Sequence, residues 1–210
     1  MVSLDADVAL SALKTGDLVL FTGEGLARGL ARWFNRSPWT HVGLVLRWPN
    51  AAEPLLWEAP CGGPRRGTIA APLAVRMARA RGRISARCLN RPLPASQCER
   101  LAALRQEVAE RVRPRPLFDL IGAAEDGWVG ARRDNLGEPM DGELVAEAYQ
   151  RIGLLDDAAR GGWSPGDYRP WHFCASHRLE LKNGYTLGPE LVLREAERAV
   201  GWGGISAQPA

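Results

Sequence analysis

The sequence predicts a single α+β domain in which an antiparallel sheet packs against helices. Apolar runs of strand length alternate with amphipathic helical patterns, and a polar pentapeptide joins two of these runs as in a β-hairpin. The chain contains no repeats or low-complexity segments. With 210 residues it is long enough for one well-packed core and short for two. We therefore expect one domain over residues 1–210.

The first part of the chain contains two helical and three strand patterns. A short helix is expected over residues 5–13, followed by a strand over residues 16–23 that has glycine at both ends. The amphipathic stretch at residues 25–35 predicts a second helix. The apolar runs at residues 40–48 and 54–60 are joined by PNAAE, which predicts a hairpin at the centre of the sheet.

The other strand patterns are shorter. Residues 67–80 predict a short strand and then a helix that begins near Pro72, because proline is favoured in a first helical turn. Residues 82–93 predict a half-buried strand. Its buried side is expected to carry Ile84, Ala86 and Cys88. Further strand-like stretches lie at residues 167–173 and 184–193.

The longest helical pattern covers residues 94–112, where Ser96 and Glu99 match a capping box. Its buried stripe is expected to be Leu101, Leu104 and Val108. Residues 113–130 begin with prolines and predict a further helical stretch. A polar loop then leads to an amphipathic helix that starts around Asp141. The inward face of that helix is expected to comprise Leu144, Val145, Ala148, Tyr149 and Ile152.

The composition restricts location and partners. No apolar run approaches the roughly 20 residues that a membrane span needs, so we expect no transmembrane helix. The N-terminus has no basic residue before Lys14, which argues against a secretory signal and predicts a cytoplasmic location.

Positive charge is concentrated between Glu58 and Glu99, a stretch without any acidic residue. It contains Arg65, Arg66, Arg76, Arg79, Arg81, Arg83, Arg87 and Arg91. The segment either faces an anionic partner or reflects the use of arginine as the usual cation of this chain. No nucleic-acid-binding motif accompanies it, so no specific nucleic acid is expected.

The four cysteines are expected to be reduced thiols, because no CxxC pair occurs and a chain of this length needs no disulfides. They are Cys61, Cys88, Cys98 and Cys174. Cys61 follows Glu58 closely but lies in a PCGGP turn. Cys174 lies between His172 and His177, and is either a structural thiol or part of a metal site that lacks a fourth ligand.

Three residues are candidates for a common site. His41 begins one strand of the predicted hairpin, Glu58 lies on the other strand, and Asp141 starts a helix that should pack on the sheet. A histidine that is oriented by a carboxylate and faces a helix N-terminus is the layout of a thiol hydrolase.

Five blocks of the chain then match a known family in order. They are GDLVLFTGEGLARGLARWFNRSPWTHVGLVL, LLWEAP, PLFDLIG, GELVAEAYQRIGLL and WSPGDY. Together they resemble the circularly permuted papain-like amidases of the NlpC/P60 superfamily, the YaeF/YiiX type. The resemblance runs from about residue 15 to residue 168, and it implies a permuted papain-like core over about residues 15–170 with a C-terminal extension over residues 171–210.

The resemblance also implies roles for the candidate residues. In such proteins a histidine comes first, then an acidic residue, then a nucleophilic cysteine in a CSELV context. His41 is therefore expected as general base and Glu58 as the residue that orients it. Asp141 stands where the cysteine is expected, and Gly142 stands at the serine.

The Asp141 position changes the expected chemistry. A carboxylate that attacked an amide would form an anhydride less stable than its substrate, and two carboxylates beside His41 would keep the imidazole protonated. Three interpretations of Asp141 follow. It is an N-cap that accepts from the backbone N–H of Glu143 or Leu144, a ligand of a metal also held by His41 and Glu58, or the base for a water nucleophile.

The sequence thus predicts a catalytically degenerate hydrolase homologue whose cleft is reused for binding. The alternatives are an active amidase or esterase on an acyl, peptide or lipid substrate through water or metal activation, and a structural component of a larger assembly. For the last, exposed tryptophans would supply contact surface, namely Trp39, Trp128, Trp163 and Trp202. No cofactor is expected. The expected partners are an anionic small molecule, a lipid or a peptide in the cleft, or another protein.

Overall fold

The computed structural model describes residues 10–22, 37–48, 53–59, 68–111 and 141–195. Its strands are β1 (Leu18–Phe21), β2 (His41–Leu46), β3 (Leu55–Glu58), β4 (Ile69–Pro72), β5 (Ile84–Arg87) and β6 (Leu191–Arg194). Its helices are α1 (Leu73–Arg79), α2 (Ala95–Arg111) and α3 (Asp141–Arg151), and residues 10–12 are helical as well.

The strands form one six-stranded sheet in the order β4-β3-β2-β1-β5-β6, and every neighbouring pair is antiparallel. The expected hairpin is present, because β2 and β3 pair with Leu44 opposite Trp57 and Leu46 opposite Leu55. The α+β fold class, with an antiparallel sheet against helices, is confirmed.

Helices cover both faces of the sheet, and the strands bury both sets of side chains. In β1, Leu18 and Leu20 belong to the hydrophobic cluster that includes α2 and α3. Val19 and Phe21 belong to the cluster on the other face, which includes α1. The alternating direction of successive side chains in a strand therefore explains why the strands read as nearly continuous apolar runs.

Strand β5 is more deeply buried than its sequence pattern predicted. Ile84 and Ala86 lie in the α1-side cluster and Cys88 packs against it, as expected. The opposite side was expected to be exposed, but Ser85 and Arg87 are also buried. The expectation was wrong for Arg87 because the tail of the chain covers it, with the carbonyls of Phe173, Leu187 and Gly188 accepting from its guanidinium.

The two longer helices bury the predicted side chains. The stripe on α2 and the inward face of α3 are at most 1% exposed. The expected capping box is wrong, however, because α2 already begins at Ala95 and Ser96 lies inside it. The first turn is instead closed by the Pro94 carbonyl, which accepts from the N–H groups of Gln97 and Cys98.

Of the two strand-like stretches expected near the C-terminus, at residues 167–173 and 184–193, only the second forms a strand. Residues 167–173 do not form a strand, because the chain makes 3₁₀ turns at Pro165–Asp167 and Pro170–Phe173. Each turn begins with a proline, whose fixed φ suits a helical first turn and whose missing N–H removes a ladder donor. The second part is confirmed, since β6 forms and Leu187 bridges to Leu89.

Several expectations concern residues outside the described ranges. These are the helices at residues 25–35 and 113–130, the thiol of Cys61, and the tryptophans Trp128 and Trp202. Trp163 is exposed as expected, at 50%. Trp39 is not, because it is 3% exposed and its Nε1 donates to Glu190. Within the described ranges, no helix is both long and apolar enough to cross a bilayer.

Candidate functional site

The antiparallel pairing of β2 and β3 brings His41 and Glu58 to the same end of these two strands. His41 is the first residue of β2 and Glu58 is the last residue of β3, so both lie at the same end of the strand pair. Both side chains lie on the α1 side of the sheet, where the His41 ring centroid is 5.6 Å from that of Phe21.

Asp141 reaches His41 from the other side of the sheet. Helix α3 packs in the cluster opposite α1, and its first residue lies at the end of β2. There the Asp141 carboxylate contacts Nδ1 of His41, while Glu58 contacts Nε2 of the same ring. The structure therefore brings together all three predicted site residues, with the imidazole between the two carboxylates.

A fourth charged residue, Arg76 on α1, completes the arrangement. Its Nε donates to both carboxylate oxygens of Glu58, at 2.7 and 3.0 Å. Its guanidinium also lies 4.4 Å from the centre of the Phe21 ring. We refer to Asp141, His41, Glu58 and Arg76 as the charge cluster. With His41 protonated, its two positive and two negative charges cancel.

The charge cluster is largely screened from solvent. The side chains of Asp141, Glu58 and His41 are 2%, 6% and 13% exposed. Buried charges are costly unless they are paired and hydrogen-bonded, and each group here has a partner of opposite charge.

The pKa values follow from this pairing. Burial alone would lower the pKa of His41, but the contacts with Asp141 and Glu58 outweigh it and raise the pKa from 6.5 to about 9. Burial would likewise raise the pKa of Glu58, yet His41 and Arg76 hold it below its usual value. At pH 7 the imidazole is therefore charged and donates from both nitrogens.

The place of Arg76 in the site was not predicted, although the chain contains a signal for it. The apolar residues of α1 that become buried are Leu73 and Met77. Arg76 stands three residues after Leu73, so it shares their face of the helix. An arginine on a buried helical face needs an acidic partner, and Glu58 was already expected to be buried.

Gly142 allows α3 to approach the segment that follows it in the chain. A Cβ at this position would lie 2.7 Å from both Arg169 Cα and the Tyr168 carbonyl oxygen. Both are backbone atoms, so they cannot rotate away as a flexible side chain would. A serine at residue 142 does not fit unless residues 168–169 move.

This contact predicts a position-specific loss of stability. We expect Gly142→Ala to lower the free energy of unfolding by about 1–3 kcal/mol, because it overpacks a backbone contact. Gly166→Ala is the matched control, since its Cβ would have its nearest neighbour at 3.9 Å. Urea unfolding of both variants tests this, and a Gly142→Ala protein as stable as the control would contradict it.

The geometry does not suit a single metal ion held by the three predicted ligands. Metal-binding side chains converge on one point, whereas Asp141 and Glu58 contact opposite nitrogens of His41. Within the described ranges, no group of three or more His, Cys, Asp or Glu side chains is arranged to hold a metal. In this arrangement the two carboxylates pair with the imidazolium.

Neither Cys88 nor Cys98 has the environment of an activated thiol. Burial, together with Asp17, raises the pKa of Cys88 to about 11, and burial also raises the pKa of Cys98. Cys174 is buried with its Sγ 3.0 Å from Ser176 Oγ. Its neighbour His172 uses Nδ1 to accept from the Arg169 backbone N–H, which makes the metal interpretation less favourable.

The arginines of the basic segment do not form one surface. Arg76 lies on Glu58, and the buried Arg87 donates to backbone carbonyls on the other side of the sheet. Arg83 lies 5.5 Å from the Trp39 ring and Arg91 lies 4.3 Å from the Tyr185 ring. Among the described arginines, internal contacts thus account for much of the concentration of charge.

Comparison with known proteins gives a loose similarity to a solved structure. No family model and no curated protein matches the chain. Among solved structures, the crystal structure of the metalloprotein YiiX from Escherichia coli O157:H7, of the DUF1105 family, has a TM-score of 0.46 and 18% identity. The match covers 67% of this chain and 66% of that one, just under two thirds of its length. It fits the expected YiiX-type fold only loosely.

Proposed function

We propose that this protein is a papain-like hydrolase homologue that has lost catalysis and retains its cleft for binding. The observation that carries the proposal is the position of the Asp141 carboxylate. It contacts Nδ1 of His41, at the helix N-terminus where the resemblance to thiol hydrolases places a nucleophilic cysteine.

The protonation state of His41 supports the loss of catalysis. A general base needs a free lone pair near the operating pH. With a pKa of about 9, His41 is protonated at pH 7 and has no lone pair to accept a proton. His41 is therefore held in ion pairs and does not act as the proton acceptor that an imidazole beside a thiol would be.

The alternative with a water nucleophile is less consistent with the pairing of Asp141. A catalytic base must accept the proton of the water that it activates. Oδ2 of Asp141 is instead engaged by the His41 imidazolium. The anionic small molecule, lipid or peptide expected in the cleft stays a prediction, as does the cytoplasmic location.

The direct test is hydrolysis of a panel of amide, ester and phosphodiester substrates. We expect no turnover above background from the native protein or from His41→Gln, because His41 is protonated and cannot act as a base, and Asp141 is a poor nucleophile. Metal content is measured on the same samples. Turnover by the native protein that disappears in His41→Gln would show that the proposal is wrong.

A further inference from the structure

A cavity of about 390 Å³ lies between the end of β5 and the tail segment before β6. Its lining includes Arg87, Arg178 and Thr186, together with the backbone around Gly188. None of its lining residues belongs to the charge cluster. We refer to it as the Arg87 cavity.

Arg87 is a buried cation whose hydrogen bonds all go to neutral groups. The residue is 5% exposed. Its guanidinium donates to the carbonyls of Gly188 at 2.8 Å, and of Phe173 and Leu187 at 2.9 Å. A guanidinium has five N–H groups, so these bonds leave donors for a further acceptor. Within the described ranges, Arg87 forms no ion pair.

Glu190, the acidic residue whose charge acts on Arg87, is already engaged. Its Oε1 accepts from Trp39 Nε1 and from the Ala175 backbone N–H, both at 3.0 Å. Burial lowers the pKa of Arg87, while Glu190 acts in the opposite direction from a distance. A buried arginine is costly without a paired anion, so the position favours one.

The rim of the cavity provides further groups of the same kind. Arg178 and Thr186 are exposed side chains, and no acidic residue lines the cavity. The cavity therefore combines two guanidinium groups and a hydroxyl, and it contains no carboxylate. Arginine forks bind planar carboxylates and phosphates through paired N–H groups.

We propose that the Arg87 cavity binds a small oxyanion, the phosphate or carboxylate group of a ligand, between Arg87 and Arg178. The Thr186 hydroxyl donates a further hydrogen bond. This site is separate from the charge cluster, and the proposal does not depend on whether His41 supports catalysis.

The test measures binding of inorganic phosphate and of citrate to the full chain by calorimetry and thermal unfolding. We expect saturable binding of at least one anion and a rise in Tm, with no such rise in sodium chloride of equal ionic strength. Binding of phosphate alone indicates a phosphoryl ligand, and binding of citrate alone indicates a carboxylate ligand. Absence of saturable binding for both anions would overturn the proposal.

Variants locate the binding within the molecule. Arg178→Glu should weaken binding by at least about tenfold, because it replaces a positively charged donor by a negative charge that repels the anion. Thr186→Val should weaken it less. Arg160→Glu makes the same charge change at an exposed arginine outside the cavity, and should bind as the native protein does. Equal weakening by Arg178→Glu and Arg160→Glu would show only a general charge effect and would contradict the proposal.

Discussion

Asp141→Cys is expected to produce a thiol that is alkylated by iodoacetamide at pH 6–7. An ordinary cysteine, with a pKa of about 8.5, is mostly protonated there. A thiol at residue 141 would lie at the N-terminus of α3 and beside Nδ1 of His41. The helix dipole and an imidazolium both stabilise a thiolate, and Glu58 remains in place on Nε2.

The measurement is alkylation against pH, with peptide mapping by mass spectrometry to separate the cysteines. Cys88 and Cys98 are internal references in the same molecule, because burial raises the pKa of both. Asp141→Cys with His41→Gln is the matched control for the effect of the imidazole. A thiol at residue 141 that titrates as an ordinary cysteine in both proteins would contradict the expectation.

The same variant tests whether the site has the geometry of a hydrolase. We expect Asp141→Cys to acquire turnover on an amide or ester of the substrate panel. Adding His41→Gln should lower that turnover by about 10²-fold, the lower range for loss of a general acid–base group. Reactivity of the thiol without any turnover would show the charge environment without the catalytic geometry, and it would contradict this expectation.

The second large effect is a fall in stability as the pH rises from 6.5 to 9. His41 has a pKa of about 9 in the folded protein and 6.5 as a free group, so the folded state binds its proton more tightly. The resulting stabilisation is complete below pH 6.5 and is lost as the pH rises through about 9. A shift of this size corresponds to about 3 kcal/mol in the free energy of unfolding.

Glu58 sets the acidic side of the same profile. Its pKa is lower in the folded protein than the usual 4.5, so its contribution is present above pH 4.5 and is lost as the pH falls through the lowered value. For these two groups together, stability is therefore expected to be greatest between about pH 4.5 and 6.5.

Urea unfolding between pH 5 and 9 measures the direction and the size of the fall in stability that His41 causes above pH 6.5. His41→Gln removes the titrating group, and Asp141→Asn keeps the side-chain shape while removing one of the two charges that raise the His41 pKa. We expect the fall above pH 6.5 to vanish in the first variant and to shrink in the second. The same fall in all three proteins would assign it to other groups.

Much of the candidate site could be predicted from the chain because its residues stand at the ends of locally specified elements. The periodicity of β2 and β3 and their short connection require antiparallel pairing, and this places His41 near Glu58. The helical period from Asp141 onward likewise specifies the apolar face that packs against the sheet. Local patterns therefore determined the α+β fold, the hairpin and the identity of the three clustered residues.

Only the tertiary structure decided how those residues interact. An aspartate at the start of a helix is equally suited to cap its own backbone, and its direction toward His41 depends on how α3 lies at the end of β2. The pairing of Arg76 with Glu58 depends in the same way on where α1 packs. These contacts join positions far apart in the chain, so periodicity and capping signals do not specify them.

The same distinction applies beyond the charge cluster. The need for glycine at residue 142 comes from the backbone of residues 168–169, and the burial of Arg87 comes from carbonyls about a hundred residues later in the chain. The sequence by itself determined most of the elements and the pairing of the central hairpin. Tertiary packing decided the partners of the charged side chains, because burial makes each charge depend on whichever group the fold brings within hydrogen-bonding distance.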